Sequence, residues 1–158
     1  MIDELDQKII LELQKDGTQS NSELGERLFV NEGTIRKRLN KLVDSKIIKV
    51  VAVPNLSELG YKCVSIVAIQ VDMSKVNEVA AELGTKHAVC QVAFVTGRYD
   101  LIAVVASRST EEFSNFMRKE LSVIPHILRT ETFMVLSFTK GSISLTETAQ
   151  LVADLIVP

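Results

Sequence analysis

Leu5, Ile9, Ile10 and Leu13 recur at the spacing of one helical face, as do Leu24 and Leu28, and then Ile35, Leu39, Leu42 and Val43. Three short amphipathic helices are therefore predicted in the first third of the chain. The punctuation agrees with the periodicity. Asp3 can cap the first helix and Gly17 ends it. Ser20 with Glu23 forms a capping box for the second, and Asn31 caps the third. Only about three residues separate the second and third helices, the turn length of a helix-turn-helix. The next stretch, "KIIKVVAVPN" (46–55), is β-branched up to Pro54. It is expected as a short strand pair, a wing that completes a small core.

After "PNLSELG" the period changes. "YKCVSIVAIQV" (61–71), "AVCQVAFV" (88–95), "LIAVVA" (101–106) and "RTETFMVLSF" (129–138) read as strands. "SKVNEVAAEL" (74–83) and "TEEFSNFMRKEL" (110–121) read as helices, with Val76, Val79, Ala80 and Leu83, and Phe113, Phe116 and Leu121, facing inward. The order βαββαβ is the ferredoxin-like arrangement, a four-stranded sheet carrying both helices on one face. The strands around Val67 and Val104 are apolar on both faces, so the face without helices needs a cover. A second copy of the same sheet supplies one, and a two-fold homodimer is expected. The fold class is α+β. The expected segments are a winged helix-turn-helix over 1–53, a linker over 54–60, a ferredoxin-like domain over 61–140 and a tail over 141–158. In that tail Ser144 and Glu147 can box a helix striped by Leu145, Ala149, Val152 and Ile156.

Charge changes the picture in one place. The chain of 158 residues has a formal net charge of -2. Yet residues 31–49 hold six basic side chains, Arg36, Lys37, Arg38, Lys41, Lys46 and Lys49, against Glu32 and Asp44. A basic run is ordinarily a solvated face. Here it falls on the second helix of a helix-turn-helix, the one that enters the major groove of DNA. Thr34, Arg36, Lys37 and Asn40 are expected to reach base edges and Lys41 a phosphate, while Arg38, nearer the buried flank, is assigned to phosphate or to packing. Composition excludes a disordered chain, and no apolar run could cross a bilayer. A start without a basic, then apolar, leader points to the cytoplasm. Cys63 and Cys90 lie singly in apolar runs and His87 and His126 are isolated, so buried thiols are expected and neither metal site nor cofactor is implied.

"VTGRYDL" (95–101) joins the two middle strands. A Gly/Asp turn of this kind is ordinary hairpin chemistry. This one also gathers a carboxylate, an aromatic ring and backbone N–H groups, the parts that hold an α-amino group and an α-carboxylate. Asp100 is expected to accept from the ammonium of such a ligand, with N–H groups around Gly97 to Tyr99 donating to its carboxylate.

"LDQKIILELQKDG", "TIRKRLNKLVDSKIIK", "LSELGY", "VTGRYDL" and "RTETFMVL" together resemble the Lrp/AsnC, or feast/famine, family of regulators, over about residues 2–140. The resemblance implies a DNA-binding transcription regulator, not an enzyme. It implies dimers assembling into tetramers or octamers, and a small effector, usually an amino acid, bound between dimers near Thr96, Gly97, Arg98, Tyr99 and Asp100. It places Thr130 and Thr132 near that pocket. Three positions depart from the family. Phe29 stands where glycine is common in the helix-turn-helix turn, Asn31 where serine caps, and Lys46 where glycine precedes the wing. Two alternatives remain at this point: an architectural DNA-binding protein that ignores effectors, and a haem-pathway decarboxylase of the same architecture using His126 and Arg129.

Overall fold

Each N-terminal helix begins at a side chain that satisfies an otherwise unpaired backbone N–H. The computed structural model describes residues 2–140, so the proposed tail helix at 141–158 lies outside the described residues. Asp3 accepts from Asp6 N–H and starts α1 (Glu4–Lys15). Ser20 accepts from Glu23 N–H and starts α2 (Asn21–Leu28). Asn31 Oδ1 accepts from Thr34 N–H at 2.8 Å and starts α3 (Glu32–Asp44). Ile9, Leu24, Ile35 and Leu42 are the buried centre of this three-helix unit.

The chain divides into two compact units, residues 1–52 and 53–158. One expectation for the join is corrected. No strand pair forms over 46–55. The β-branched run has the composition of a wing but no turn residue to reverse it before Pro54, and so no partner for its backbone. Only Ile48 packs on the helical core, while Val50, Val51 and Val53 stay exposed. The segment expected as the linker, 54–60, starts just after that division. Leu56 and Leu59 pack with Tyr61, Cys90 and Ala106 in the second unit.

That unit contains β1 (Cys63–Val71), α4 (Val76–Gly84), β2 (Val89–Phe94), β3 (Leu101–Ser107), α5 (Thr110–Phe116) and β4 (Ile127–Met134). A π-helical turn, Met117–Leu121, extends α5. The strands pair antiparallel in the order β2-β3-β1-β4. Val67, Ile69, Leu101, Ala103 and Val105 point to the helices and pack against Val79, Leu83, Phe113 and Phe116. Val67 thus belongs to the helix-covered core. The other face carries Ile66, opposite Val104 and Phe133, and Ala68, opposite Ile102 and Glu131. Phe133 is 51% exposed there. Cys90 is buried, which pushes its thiol up to about 11, whereas Cys63 is only half-buried. Among the described residues no helix is long and apolar enough to cross a membrane.

Candidate DNA interface and effector turn

The turn between α2 and α3 is built from close backbone contact. Val30 N–H reaches Gly25 O at 2.9 Å, and Phe29 N–H reaches Glu26 O at 3.4 Å. A Cβ on Gly25 would meet Val30 O at 2.6 Å, so only glycine allows this approach. Phe29 adopts the left-handed conformation, φ 56°, and so does Lys46 after α3, φ 58°. Residues other than glycine lose roughly 1–2 kcal/mol in that region. Phe29 and Lys46 therefore hold a conformation that favours glycine, at a cost in stability.

The turn sets the register of α3. Ile35 and Leu42 are buried and Val43 is exposed, so the apolar stripe is narrower than its spacing suggests. Arg36, Lys37, Asn40 and Lys41 are exposed and Thr34 is half-buried at the first turn. Arg36 stands 4.0 Å from Glu32 at the limit of an ion pair. Lys37 and Lys41 make no ion pair among the described residues, so both charges face water. Arg38 differs. Its guanidinium bonds Asp3, and Asp6 at 3.2 Å, and Asp6 is buried. Of the two roles assigned to it, packing is the one its contacts support: Arg38 ties α3 to the capping box of α1.

In the second unit the 95–100 turn is closed by Val95 N–H to Asp100 O at 3.0 Å. Asp100 N–H continues to Ile69 O at 3.0 Å. Its side chain is not free. Oδ2 accepts from Val71 N–H at 2.9 Å, just past the end of the β1–β3 ladder at Ile69 and Leu101. On the other edge of β1 the register with β4 shifts between Gln70 and Val71. Gly97 has φ 121°, and a Cβ there would meet nothing within 4 Å. Glycine is needed for the backbone conformation rather than for space within this chain. The Arg98 guanidinium lies 5.7 Å from the Tyr99 ring centroid. The Tyr99 hydroxyl donates a hydrogen bond to Glu131. That carboxylate, followed by burial, raises the pKa of the phenol above its ordinary 10.0.

Glu131 is the residue that sequence reasoning missed. Thr130 and Thr132 stand opposite Ile69 and Val67 on the helix-bearing face, whereas Glu131 stands opposite Ala68 on the other. One chain therefore brings Tyr99 to Glu131 and leaves both threonines on the reverse side of β4. Strand alternation offered the signal, but it could be read only once the register was known. Elsewhere, a cleft of about 480 Å³ is lined by Pro54, Leu56, Tyr61, Lys62, Val64 and Leu136. It lies at the opposite end of β1 from the turn.

Residues 2–43 match the AsnC-type helix-turn-helix domain, and residues 64–145 match the Lrp/AsnC ligand binding domain. A protein of Pyrococcus furiosus described as an uncharacterized HTH-type transcriptional regulator is 37% identical over 141 residues, covering 89% of this chain and 95% of its own. The HTH-type transcriptional regulator FL11 of Pyrococcus abyssi is 33% identical over 145 residues, covering 91% and 95%. Among solved structures, AsnC of E. coli superposes with a TM-score of 0.84 at 24% identity, over 90% of this chain and 97% of that one. A transcriptional regulator of Neisseria meningitidis in complex with L-Met gives 0.84 at 23%, over 92% and 96%. These two likenesses show the fold. The matched families and relatives are transcriptional regulators and not enzymes. The decarboxylase reading of His126 and Arg129 falls with that. His126 is a loop residue, φ 68°, whose carbonyl accepts from Asp72 N–H.

Proposed function

Because the chain belongs to the Lrp/AsnC family of helix-turn-helix transcription regulators, we propose that it reads duplex DNA with α3, in the cytoplasm. A small amino-acid effector held between dimers at the 96–100 turn then modulates its assembly or its DNA affinity. The DNA reading rests on one observation. Thr34, Arg36, Lys37, Asn40 and Lys41 lie along the outward side of α3, while Ile35 and Leu42 lock its other side. Arg at such a position can bond guanine bidentately, Asn can bond adenine, and the Thr methyl can touch thymine. Arg38 is engaged by Asp3 and Asp6, so it sets the pose of the helix.

The effector reading rests on Tyr99, Glu131 and the backbone N–H groups of 97–99. Asp100 already serves Val71 N–H. Glu131, at the Tyr99 hydroxyl, offers a second carboxylate for a ligand ammonium, with the Arg98 guanidinium over the Tyr99 ring for the ligand carboxylate. That the Neisseria regulator was crystallised with L-Met supports an amino acid of this class. The face bearing Ile66, Val104 and Phe133 supports a sheet-to-sheet homodimer.

The test begins with duplexes selected by the wild-type protein from a random pool. An Arg36→Ala/Lys37→Ala variant should lose gel-shift affinity while remaining folded. Lys41→Ala should flatten the salt dependence by roughly one unit. Unchanged affinity in the double variant rejects α3 as the reading helix. A thermal-shift screen of the twenty amino acids tests the effector, since a ligand that binds only the folded state raises its stability. DNA affinity that no amino acid alters would favour the architectural alternative.

A further inference from the structure

Three segments of this chain end in the same hydrogen-bond pattern. Val30 N–H bonds Gly25 O, Ile47 N–H bonds Leu42 O, and Tyr61 N–H bonds Leu56 O, each within 3.0 Å. In each, the residue before the donor is left-handed: Phe29, Lys46 and Gly60. Glycine is the residue this position favours, because a Cβ is strained there. The chain uses glycine at 60 and a phenylalanine at 29.

The ring of Phe29 makes little return within the protein, since the residue is 95% exposed. A lone exposed apolar side chain is commonplace. A strained backbone held by a bare aromatic is not, and strain of this kind gathers at functional positions. Lys46 needs no such account, because a long cation is at home in water. Phe29 also sits between α2 and Asn31, the cap of α3, at the end of the helix that a helix-turn-helix points into the groove.

We infer that Phe29 is a DNA contact, its ring covering apolar C–H surface of the duplex beside the bases that α3 reads. That surface is either a thymine methyl or a deoxyribose edge. The inference rests on the reading of α3 as the recognition helix.

The experiment uses the full chain with Phe29→Gly and Phe29→Asn, two residues that accept the left-handed conformation without the ring. Phe29→Gly should raise the melting temperature of the N-terminal unit by about 4 °C. It should also weaken binding to the selected duplex by about tenfold. Phe29→Asn should weaken binding similarly. Neither should change the salt slope, because no phosphate contact is lost. A duplex with uracil in place of thymine separates the two surfaces. If the methyl is the contact, uracil weakens wild type and spares Phe29→Gly. If deoxyribose is the contact, uracil affects both alike.

A stabilised Phe29→Gly with unchanged affinity overturns the proposal. So does a destabilised one, since the ring would then pack inside the protein. An Arg36→Ala/Lys37→Ala protein that still binds defeats the reading of α3 and the Phe29 contact with it. If that double variant fails to bind while Phe29→Gly is unimpaired, the Phe29 contact alone is defeated.

Discussion

Asp100 accepts the Val71 N–H at 2.9 Å with a side-chain oxygen, at the point where β1 falls out of register with β4. The carboxylate stands in for a β3 partner, because the ladder between β1 and β3 ends at Ile69 and Leu101. Asp100→Ala leaves Val71 N–H unpaired and should cost about 1–3 kcal/mol. Asp100→Asn keeps an oxygen acceptor and should retain most of that stability. The pair separates two roles in one thermal-shift experiment. If Asp100→Asn is stable and still responds to the effector, the side chain is a structural tie. If it is stable and the response is gone, the charge meets the ligand. Light scattering must accompany the melt, because a variant that falls to a smaller oligomer would mimic lost binding.

Glu131 raises the pKa of the Tyr99 phenol through its hydrogen bond. Absorbance at alkaline pH should show one phenol ionising above the ordinary 10.0, assigned in a Tyr61→Phe background. The sign follows from linkage. A raised folded pKa gives stability that is full below the unfolded value and lost as pH climbs through the folded one. Glu131→Gln should bring the titration back toward 10.0. An effector whose ammonium takes Glu131 should do the same without mutation, and an unmoved titration at saturating effector would reject Glu131 as its acceptor.

At the other end of the pH scale, the Asp3 carboxyl is held below its ordinary 3.8 first by Asp6 N–H and then by Arg38. A depressed folded pKa gives stability that is present above the unfolded value and lost as pH falls through the folded one. The N-terminal unit should therefore weaken as pH drops below about 4. Asp3→Asn should blunt that dependence, as read by circular dichroism melts in acid. Arg38→Ala should lower the melting temperature at neutral pH because buried Asp6 loses its cation. It should leave the salt slope of DNA binding unchanged, and a flattened slope would return Arg38 to the phosphate role.

Phe133 tests assembly cleanly. It is 51% exposed in one chain, on the sheet face opposite the helices. An aspartate there meets water in a monomer but would be buried and unpaired between two sheets, at several kcal/mol by order of magnitude. Phe133→Asp should run as a folded monomer in light scattering, where wild type runs as a dimer or larger. A wild-type monomer at micromolar concentration would remove the argument.

Much of this was legible because short-range chemistry decides it. Asn31 caps α3 as a residue with its side chain would in any protein, and Phe113, Phe116 and Leu121 face inward on helical spacing alone. What escaped depends on partners far along the chain. Residues 47–53 have the composition of a strand, yet a strand exists only if another lies alongside. Whether Glu131 or Thr130 faces Tyr99 depends on a register that the Gln70/Val71 shift offsets. An isolated glycine inside α2 gives no hint that Val30 O presses against it. A carboxylate in a turn looks free until the strand end beside it is seen.

The sheet order carries a consequence for synthesis on the ribosome. β1 lies between β3 and β4, with Cys63 paired to Ser107 and Ser65 to Met134. Both neighbours are translated after it. The helical unit of residues 1–52 has only short-range contacts to make and can fold as it emerges. The sheet must wait for residue 134, a lag of roughly 5–15 seconds at ordinary elongation rates. Until β3 is complete at Ser107, the nascent chain is expected to carry a helix-turn-helix trailed by an unpaired apolar strand. Its DNA-reading half is complete before the half that would assemble it has formed.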